Sequence, residues 1–355
     1  MRYAMLVAIL LVLGAAWACD LPEIDFTGKK CKSSDSCPTP LLCGSEGCCH
    51  PGPCKLSVSN LRADWQTPNT IRWVWETCGD VTELAEYTLD VTSDTPDAGG
   101  TGHYTRAENP ELARGTLPHG DAPIPVLATI TTGHTPGTVY RAVLTAKTGN
   151  GCSSTSNQAD KITDVPPLNA KPIVIFGDDR APLGFEPDNI EIVDGGGAVS
   201  HRHIEYRPDT DPQLQGSGDA SVAFQNLRAA VSIDANLTPG EFDGAYVEVY
   251  VRYANGTEAG WWSEMWLRTV LPDGSHCAMS DECLYRFEAY TIPNVTDGGY
   301  RLYQFPLRKL TNRANGAPLT REALGRHIDQ VNVSGTTFSR GSGTVVSLDG
   351  ISIRY

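Results

Sequence analysis

Three segments in the C-terminal half of the chain alternate apolar residues with aromatic or charged ones. They span residues 245–253, 260–268 and 284–290. Because successive side chains of a β-strand point to opposite faces of its sheet, each segment predicts a strand with one apolar face and one face of Tyr, Trp, Arg and Glu. The apolar faces are expected to line a core. If the three strands are neighbours in one sheet, their second faces join into a single surface.

That second surface has the composition of a carbohydrate-binding face, on which sugar rings stack against aromatic side chains and sugar hydroxyls bond to arginine and carboxylate groups. The predicted binding residues are Trp262, Trp266, Tyr246, Tyr250, Glu264, Arg268, Arg286 and Tyr290, and the alternating His201, His203 and Glu205 are candidates to join them. A polysaccharide or glycoconjugate is therefore the predicted partner. In the alternative, the same aromatic face packs against another part of the chain or against a protein partner.

An enzyme is the third interpretation of the same face. Glu248, Glu264 and Glu288 would share it, and paired carboxylates carry out glycoside hydrolysis. Cross-strand pairing of these residues with arginines accounts for them without catalysis. The sequence contains no P-loop, dinucleotide fingerprint or zinc-protease motif. A non-catalytic function is therefore the prediction.

Shorter alternating strands fill the region from Lys55 to Asp164. Its clearest alternating sets are Ile71, Trp73, Trp75 and Tyr87, Leu89, Val91. This region, with Tyr140 after its Gly/Pro turn, resembles a fibronectin type III domain. The resemblance implies a two-sheet sandwich with Trp75 in its core, and His134 stands where the family usually has Leu. It also places Cys78 and Cys152 in loops at one end, where a disulfide would join them. The Gly/Pro-rich residues 97–125 predict a long loop within this domain.

After a short Pro-rich linker at 165–168, residues 169–355 are the right size for one large β-sandwich. The motifs Tyr300–Leu307 and Val346–Ile353 of this region resemble the galactose-binding-like jelly rolls found as carbohydrate-binding modules. That resemblance implies a structural Ca²⁺ held by Asp178, Asp179 and Asp349. In the alternative, these aspartates cap turns. A short helix is predicted at 320–324, with Thr320 as its cap.

In the predicted N-terminal module at residues 19–54, six closely spaced cysteines lie between residues 31 and 54 among few apolar residues: Cys31, Cys37, Cys43, Cys48, Cys49 and Cys54. So short a segment needs disulfides for stability, and its spacing weakly resembles Dickkopf-type or whey-acidic-protein-type modules. A zinc site is the competing interpretation. Further along the chain, Cys277 and Cys283 are predicted to form a local disulfide.

Residues 1–18 have the pattern of a secretory signal peptide, with a positive start, an apolar run and a small-residue cleavage site. Cleavage there would make Cys19 the first residue, as in a bacterial lipoprotein whose cysteine is acylated. The chain has 11 cysteines, so setting Cys19 aside leaves an even number for pairing. The expected protein is exported, either as a surface lipoprotein of the cell envelope or by ordinary secretion, and its contact with a membrane is through the lipid alone.

The sequence thus predicts an all-β protein: a disulfide-rich N-terminal module, a fibronectin type III β-sandwich and a C-terminal jelly-roll β-sandwich. The net charge of −14, without a basic stripe, argues against nucleic acid as a partner. The predicted function is carbohydrate binding by an exported surface protein.

Overall fold

The described part of the chain is built on antiparallel β-sheets with little helix, which confirms the predicted all-β class. The computed structural model describes residues 41–43, 49–51, 56–79, 84–112, 116–119, 122–125, 127–166, 172–177, 190–206, 219–224, 235, 237–254, 260–275, 277, 281–287, 290–293, 299–325, 327–336 and 345–355. No helix within these ranges is long and apolar enough to cross a membrane.

The described part of the N-terminal half contains twelve strands and a 3₁₀ turn at Pro110–Leu112. The strands are β1 (Leu41–Cys43), β2 (Cys49–Pro51), β3 (Leu56–Gln66), β4 (Ile71–Gly79), β5 (Leu84–Thr92), β6 (Gly102–Tyr104), β7 (Thr116–His119), β8 (Ala122–Pro125), β9 (Ala128–Thr131), β10 (Val139–Thr148), β11 (Ser153–Thr155) and β12 (Ala159–Ile162). β1 and β2 form a hairpin within the cysteine-rich segment.

β3 to β12 build what we call the N-terminal sandwich. One sheet has the order β3-β4-β9, and the other has the order β11-β10-β5-β6 with β12 also paired to β10. Residues 97–125, predicted to be a loop, contain β6, the 3₁₀ turn and the β7–β8 hairpin, so that prediction was wrong. Two of the Pro residues that suggested a loop lie inside these short strands, Pro118 in β7 and Pro123 in β8.

The core of the N-terminal sandwich follows the predicted alternation. Ile71, Trp73 and Trp75 are all buried, and the Trp75 indole meets the Tyr87 ring edge to face. The Tyr140 hydroxyl accepts a hydrogen bond from the Thr135 backbone N–H at 2.8 Å, which ties the strand to its preceding turn. This contact is the tyrosine corner of such sandwiches.

Among the described residues, the C-terminal half contains the other twelve strands and two short α-helices. They are β13 (Ile173–Phe176), β14 (Ile190–Asp194), β15 (Arg202–Tyr206), β16 (Asp219–Phe224), α1 (Pro239–Gly244), β17 (Tyr246–Ala254), β18 (Gly260–Thr269), β19 (Leu284–Arg286), β20 (Tyr290–Pro293), β21 (Arg301–Pro306), β22 (Thr311–Asn312), α2 (Arg321–Leu324), β23 (Ile328–Thr336) and β24 (Val345–Arg354). The predicted cap of α2 is confirmed: the Thr320 hydroxyl accepts from the Ala323 N–H.

These strands form the C-terminal sandwich, whose two sheets we name after one residue of each. The Tyr250 sheet has the order β14-β15-β24-β17-β21 with β13 on β24, and the Trp266 sheet has the order β16-β23-β18-β19-β22 with β20 on β18. Val247 and Val249 of the first sheet and Met265 and Leu267 of the second belong to the one core between them.

The prediction that three strands share one aromatic face was therefore wrong. β17 belongs to the Tyr250 sheet, whereas β18, β19 and β20 belong to the Trp266 sheet. Because the two sheets turn their apolar faces toward a common core, their second faces point away from each other. Alternation shows which residues of a strand share a face, but it does not show which strands are neighbours.

The N-terminal sandwich contributes one residue to the core of the C-terminal sandwich. Trp65, in β3, is 3% exposed and packs edge to face against Phe287 and Phe305, with ring centroids 6.0 and 6.5 Å away. Nearby, Lys309 pairs with Asp64 across the junction at 3.1 Å. The two sandwiches consequently share a packed apolar contact.

Candidate functional site

The outer face of the Tyr250 sheet carries a cleft of about 160 Å³, which we name the sheet-face cleft. It lies where β17 and β24 pair and where β13 ends. Its walls are Val174, Phe176, Gly177, Val199, Glu248, Tyr250, Gly350, Ser352 and Arg354. Two aromatic rings, a hydroxyl, a carboxylate and a guanidinium group therefore surround one small space.

Glu248 is the electrostatic centre of the sheet-face cleft. Its Oε1 accepts hydrogen bonds from Arg354 Nε at 2.6 Å and Ser352 Oγ at 3.1 Å, and its Oε2 accepts one from Gln304 Nε2 at 3.3 Å. Its side chain is 8% exposed, against 36% for that of Arg354. A buried carboxylate needs such partners. The pair presents the partly exposed guanidinium, rather than the acid, to solvent.

Two tyrosines of β17 lie beside this carboxylate. Burial raises the pKa of Tyr250, and the negative charge of Glu248 adds to the shift. The same two causes raise the pKa of Tyr246 to about 12. Both phenols therefore stay protonated at neutral pH. Tyr250 is half-buried and lines the cleft, whereas Tyr246 is buried.

Two glycines shape the floor of the cleft. Gly350 has a φ of +58°, and a Cβ there would lie 2.7 Å from Val199 Cγ2 and 2.8 Å from the Tyr250 ring. A Cβ on Gly177, at a φ of +128°, would lie 2.8 Å from the Gly350 Cα. Both positions need the left-handed backbone and lack space for a side chain, so only glycine keeps the cleft open.

Asp349, predicted to bind Ca²⁺, anchors the turn that forms one wall. Its Oδ2 accepts from the backbone N–H groups of Val199 at 2.8 Å and Ser200 at 3.1 Å, and its Oδ1 accepts from Ser200 Oγ at 2.8 Å and Gly350 N at 2.7 Å. Asp178 and Asp179 lie outside the described residues. In the part of the chain that is described, no three His, Cys, Asp or Glu side chains gather as metal ligands.

A second polar cluster occupies the same outer face beyond the cleft. His203 Nε2 lies 3.1 Å from Glu205 Oε1, and Arg252 Nη2 lies 3.7 Å from the same oxygen. The Arg252 guanidinium also donates to Ser347 Oγ and lies 5.1 Å from the centre of the Tyr300 ring. The structure thus brings His203 and Glu205 onto the face that carries Tyr246 and Tyr250.

The remaining predicted binding residues belong to the Trp266 sheet. Trp266 is half-buried under the Arg313 guanidinium, 5.0 Å from the ring centre, and Arg268 Nη1 donates to the Cys277 carbonyl. Arg286 is exposed and lies opposite Trp266 in the strand register. Trp262, Glu264 and Tyr290 lie in β18 and β20, but their side chains lie outside the described part of the structure.

Glu248 and Glu264, two of the carboxylates proposed for catalysis, lie in different strands, β17 and β18. Glu248 and Glu264 belong to different sheets of the sandwich, so the expectation that they share a face was wrong. Glu288 lies outside the described residues. Among the described walls of the sheet-face cleft, Glu248 is the one carboxylate, and its two oxygens accept hydrogen bonds. Glu248 and Glu264 therefore do not form the carboxylate pair that glycoside hydrolysis needs.

The disulfide between Cys277 and Cys283 is confirmed. Cys152 is disulfide-bonded, and the side chain of Cys78 lies outside the described residues, so the Cys78–Cys152 pairing stays a prediction. Cys19 and the other cysteines of the N-terminal module, except for the backbone of β1 and β2, lie outside the described residues as well.

Sequence reasoning missed several walls of the cleft. Ser352 and Arg354 alternate with Ile351 and Ile353, a signal that could have placed them on the outer face. The sequence around Val199 contains no such alternating pattern, because the position of Val199 depends on the turn that Asp349 anchors.

No protein-family model and no curated protein matches this chain. No match therefore supports the resemblance of the cysteine-rich module to Dickkopf-type and whey-acidic-protein-type regions. Solved structures show partial likeness. A surface glycan-binding protein of Prevotella bryantii is 9% identical, with 88% of this chain and 80% of that chain covered at a TM-score of 0.31.

Two other solved structures align with about a third of this chain. A human fibronectin type-III domain is 16% identical, with 34% of this chain and 94% of that domain covered at a TM-score of 0.21. A family 28 exopolygalacturonase of Yersinia enterocolitica is 16% identical, with 31% of this chain and 21% of the enzyme covered at a TM-score of 0.24. These values assign no family.

Proposed function

We propose that the protein binds carbohydrate, without catalysis, through the sheet-face cleft. The observation that carries this proposal is the grouping of the Tyr250 ring, the Ser352 hydroxyl and the half-exposed Arg354 guanidinium around one cleft. An aromatic ring can stack on a sugar, while the hydroxyl and guanidinium can bond to its oxygens. The cleft is smaller than the roughly 300–1,000 Å³ that holds a drug-sized ligand, so it suits one sugar ring of a glycan.

A glycan array followed by calorimetry on the full chain tests this proposal. We expect Tyr250→Ala to weaken binding about ten-fold, because it removes the stacking ring. Val199→Trp is the second variant: Val199 is 54% exposed, so a large side chain there should block the cleft without disturbing the core. Circular dichroism checks that both variants fold.

Trp266→Ala is the matched control on the opposite sheet. Under the proposal it leaves binding unchanged. If Trp266→Ala abolishes binding while Tyr250→Ala and Val199→Trp do not, the sheet-face cleft is not the site and the Trp266 sheet takes its place. A blank array would contradict carbohydrate binding and favour the protein-partner alternative.

We further propose that the protein is exported and anchored to a membrane by a lipid on Cys19. The support is the pattern of residues 1–19 and the even number of cysteines that remain. Mass spectrometry of the mature N-terminus tests it: an acylated Cys19 supports anchoring, and a free one contradicts it. Structural Ca²⁺ also stays a prediction, which the array repeated with a chelator would test.

A further inference from the structure

The junction between the two sandwiches holds a second cleft, of about 210 Å³, which we name the junction cleft. Each sandwich supplies four of its described walls: Asp64, Trp65, Arg72 and Ile130 from the N-terminal sandwich, and Phe287, Phe305, Lys309 and Thr311 from the C-terminal sandwich. Neither sandwich forms this cleft alone, and it shares no wall with the sheet-face cleft. Ligand sites occur preferentially at such junctions.

The base of the junction cleft is aromatic. Trp65, Phe287 and Phe305 pack against one another at centroid distances of 5.0–6.5 Å, and none of them is more than 4% exposed. Ile130 packs against the same cluster from β9. The floor of the cleft is therefore apolar, and the small part of these rings that reaches it can contact an apolar ring face.

The mouth of the cleft is ionic. Both oxygens of Asp64 have partners: Arg72 Nη1 lies 2.8 Å from Oδ2, and Lys309 Nζ lies 3.1 Å from Oδ1. Although burial opposes it, Lys309 and Arg72 hold the pKa of Asp64 below its usual value. Among the described walls of the cleft, the charged groups are two cations and one carboxylate, on a chain whose net charge is −14.

Lys309 gives the mouth its capacity to bind an anion. Its ammonium carries three N–H donors, and the bond to Asp64 uses one of them. Its side chain is 38% exposed, so the ammonium can reach a ligand in solution. Since both Asp64 oxygens already accept hydrogen bonds, the mouth offers donors rather than acceptors, which favours a carboxylate over an amine.

We propose that the junction cleft binds a small ring compound that carries a carboxylate, with the ring over the aromatic base and the carboxylate at Lys309. The volume, below that of drug-sized ligand sites, limits the occupant to about one ring. Two sources share this chemistry: a hexuronic acid residue of a glycan and a free aromatic acid. This site is independent of the sheet-face cleft, so either can fail alone.

Calorimetry on the full chain tests the site with four probes: glucuronate, phenylacetate, and their neutral counterparts glucose and benzyl alcohol. We expect one of the two carboxylates to bind, and its neutral counterpart to bind at least about ten-fold more weakly, because a hydrogen bond to a charged group is lost. Glucuronate binding identifies the sugar source, and phenylacetate binding identifies the aromatic acid.

Lys309→Met should weaken binding of the carboxylate about ten-fold, whereas the matched control Lys147→Met should not change it. Lys147 is an exposed lysine whose ammonium lies 3.7 Å from Glu86 on the N-terminal sandwich. Tyr250→Ala should leave this binding intact, which separates the two clefts. The proposal is overturned if neither carboxylate binds at about 10 mM, if the neutral probes bind equally well, or if Lys309→Met has no effect.

Discussion

The Gln304 side chain joins the two sandwiches through Thr67. Its Oε1 accepts a hydrogen bond from the Thr67 hydroxyl at 2.9 Å and another from the Asn69 backbone N–H at 3.0 Å, while its Nε2 donates to Glu248. Gln304 is 4% exposed. One amide thus connects the carboxylate of the sheet-face cleft to a turn of the N-terminal sandwich.

Replacing this amide should destabilise the protein. Gln304→Ala leaves the Asn69 N–H without this acceptor and the Thr67 hydroxyl with only the Thr70 carbonyl at 3.4 Å, which costs about 1–3 kcal/mol. Urea unfolding measures the loss. Gln158→Ala is the control, because the exposed Gln158 amide bonds to Asp160 alone among side chains, and it should change stability by less than about 0.5 kcal/mol. Equal effects of the two substitutions would show that Gln304 does not link the sandwiches energetically.

Gly350→Ala should cost stability and carbohydrate affinity together. The new Cβ would collide with Val199 and the Tyr250 ring at a backbone φ of +58°. Gly316→Ala separates the two causes: Gly316 has a φ of +71° but open space around it, so this control reports backbone strain alone, about 1 kcal/mol. Thermal unfolding and glycan binding should both show a larger loss for Gly350→Ala, and similar losses would contradict the crowding of the cleft.

Acid should weaken the N-terminal sandwich through His134. Burial lowers its pKa to about 4, although its bond to Thr131 opposes the shift. In the unfolded chain histidine has a pKa near 6.5, so the unfolded state binds more protons as the pH falls from about 6.5 to 4. Folding stability should then drop by about 3 kcal/mol.

His134→Leu should remove that acid dependence, because leucine cannot be protonated. Urea unfolding at several pH values measures it. His103→Leu is the control, since His103 is exposed beside Asp90. If the stability of His134→Leu still falls at acid pH as that of the parent protein does, His134 is not the cause of the acid dependence.

Glu111 should have the opposite effect at higher pH. Burial raises its pKa to about 7; its Oε1 accepts from the Thr129 hydroxyl, and its Oε2 has no hydrogen-bond partner among the described residues. The unfolded carboxyl has a pKa near 4.5, so the stabilising contribution of Glu111 is complete below that value. It is lost, by about 3 kcal/mol, as the pH rises through 7.

Glu111→Gln should flatten the stability profile between about pH 5 and 8, because the amide keeps the shape and cannot ionise. Hydrogen exchange of β9, to which Glu111 bonds at Ile130, provides a local measurement. Glu86→Gln, a partly exposed residue near Lys147, is the control and should follow the parent profile. If the stability of Glu111→Gln changes with pH in the same way as that of the parent protein, a group other than Glu111 causes the pH dependence.

The alternation of residues predicted the faces of single strands well. Ile71, Trp73 and Trp75 are buried as expected, and Val247 and Val249 alternate with Glu248 as expected. Which strands are neighbours could not be predicted, because pairing is set by long-range contacts that leave no local period. Because the neighbouring strands could not be predicted, the predicted binding residues turned out to be divided between two sheets.

The predicted cation ligand Asp349 shows a second limit of the sequence. A carboxylate near the start of a final strand suits a Ca²⁺ site and a turn anchor equally well. The difference depends on which backbone N–H groups the fold brings to it, here those of Val199 and Ser200. The junction cleft was missed for a similar reason, since its walls come from both sandwiches.

The position of Trp65 means that the two sandwiches are not interchangeable parts. Joining the C-terminal sandwich to a different domain would expose Phe287 and Phe305 and would leave a cavity where the Trp65 indole lies. The grafted C-terminal sandwich would need an aromatic side chain of its new neighbour in the position of Trp65. The two sandwiches would therefore have to be exchanged together.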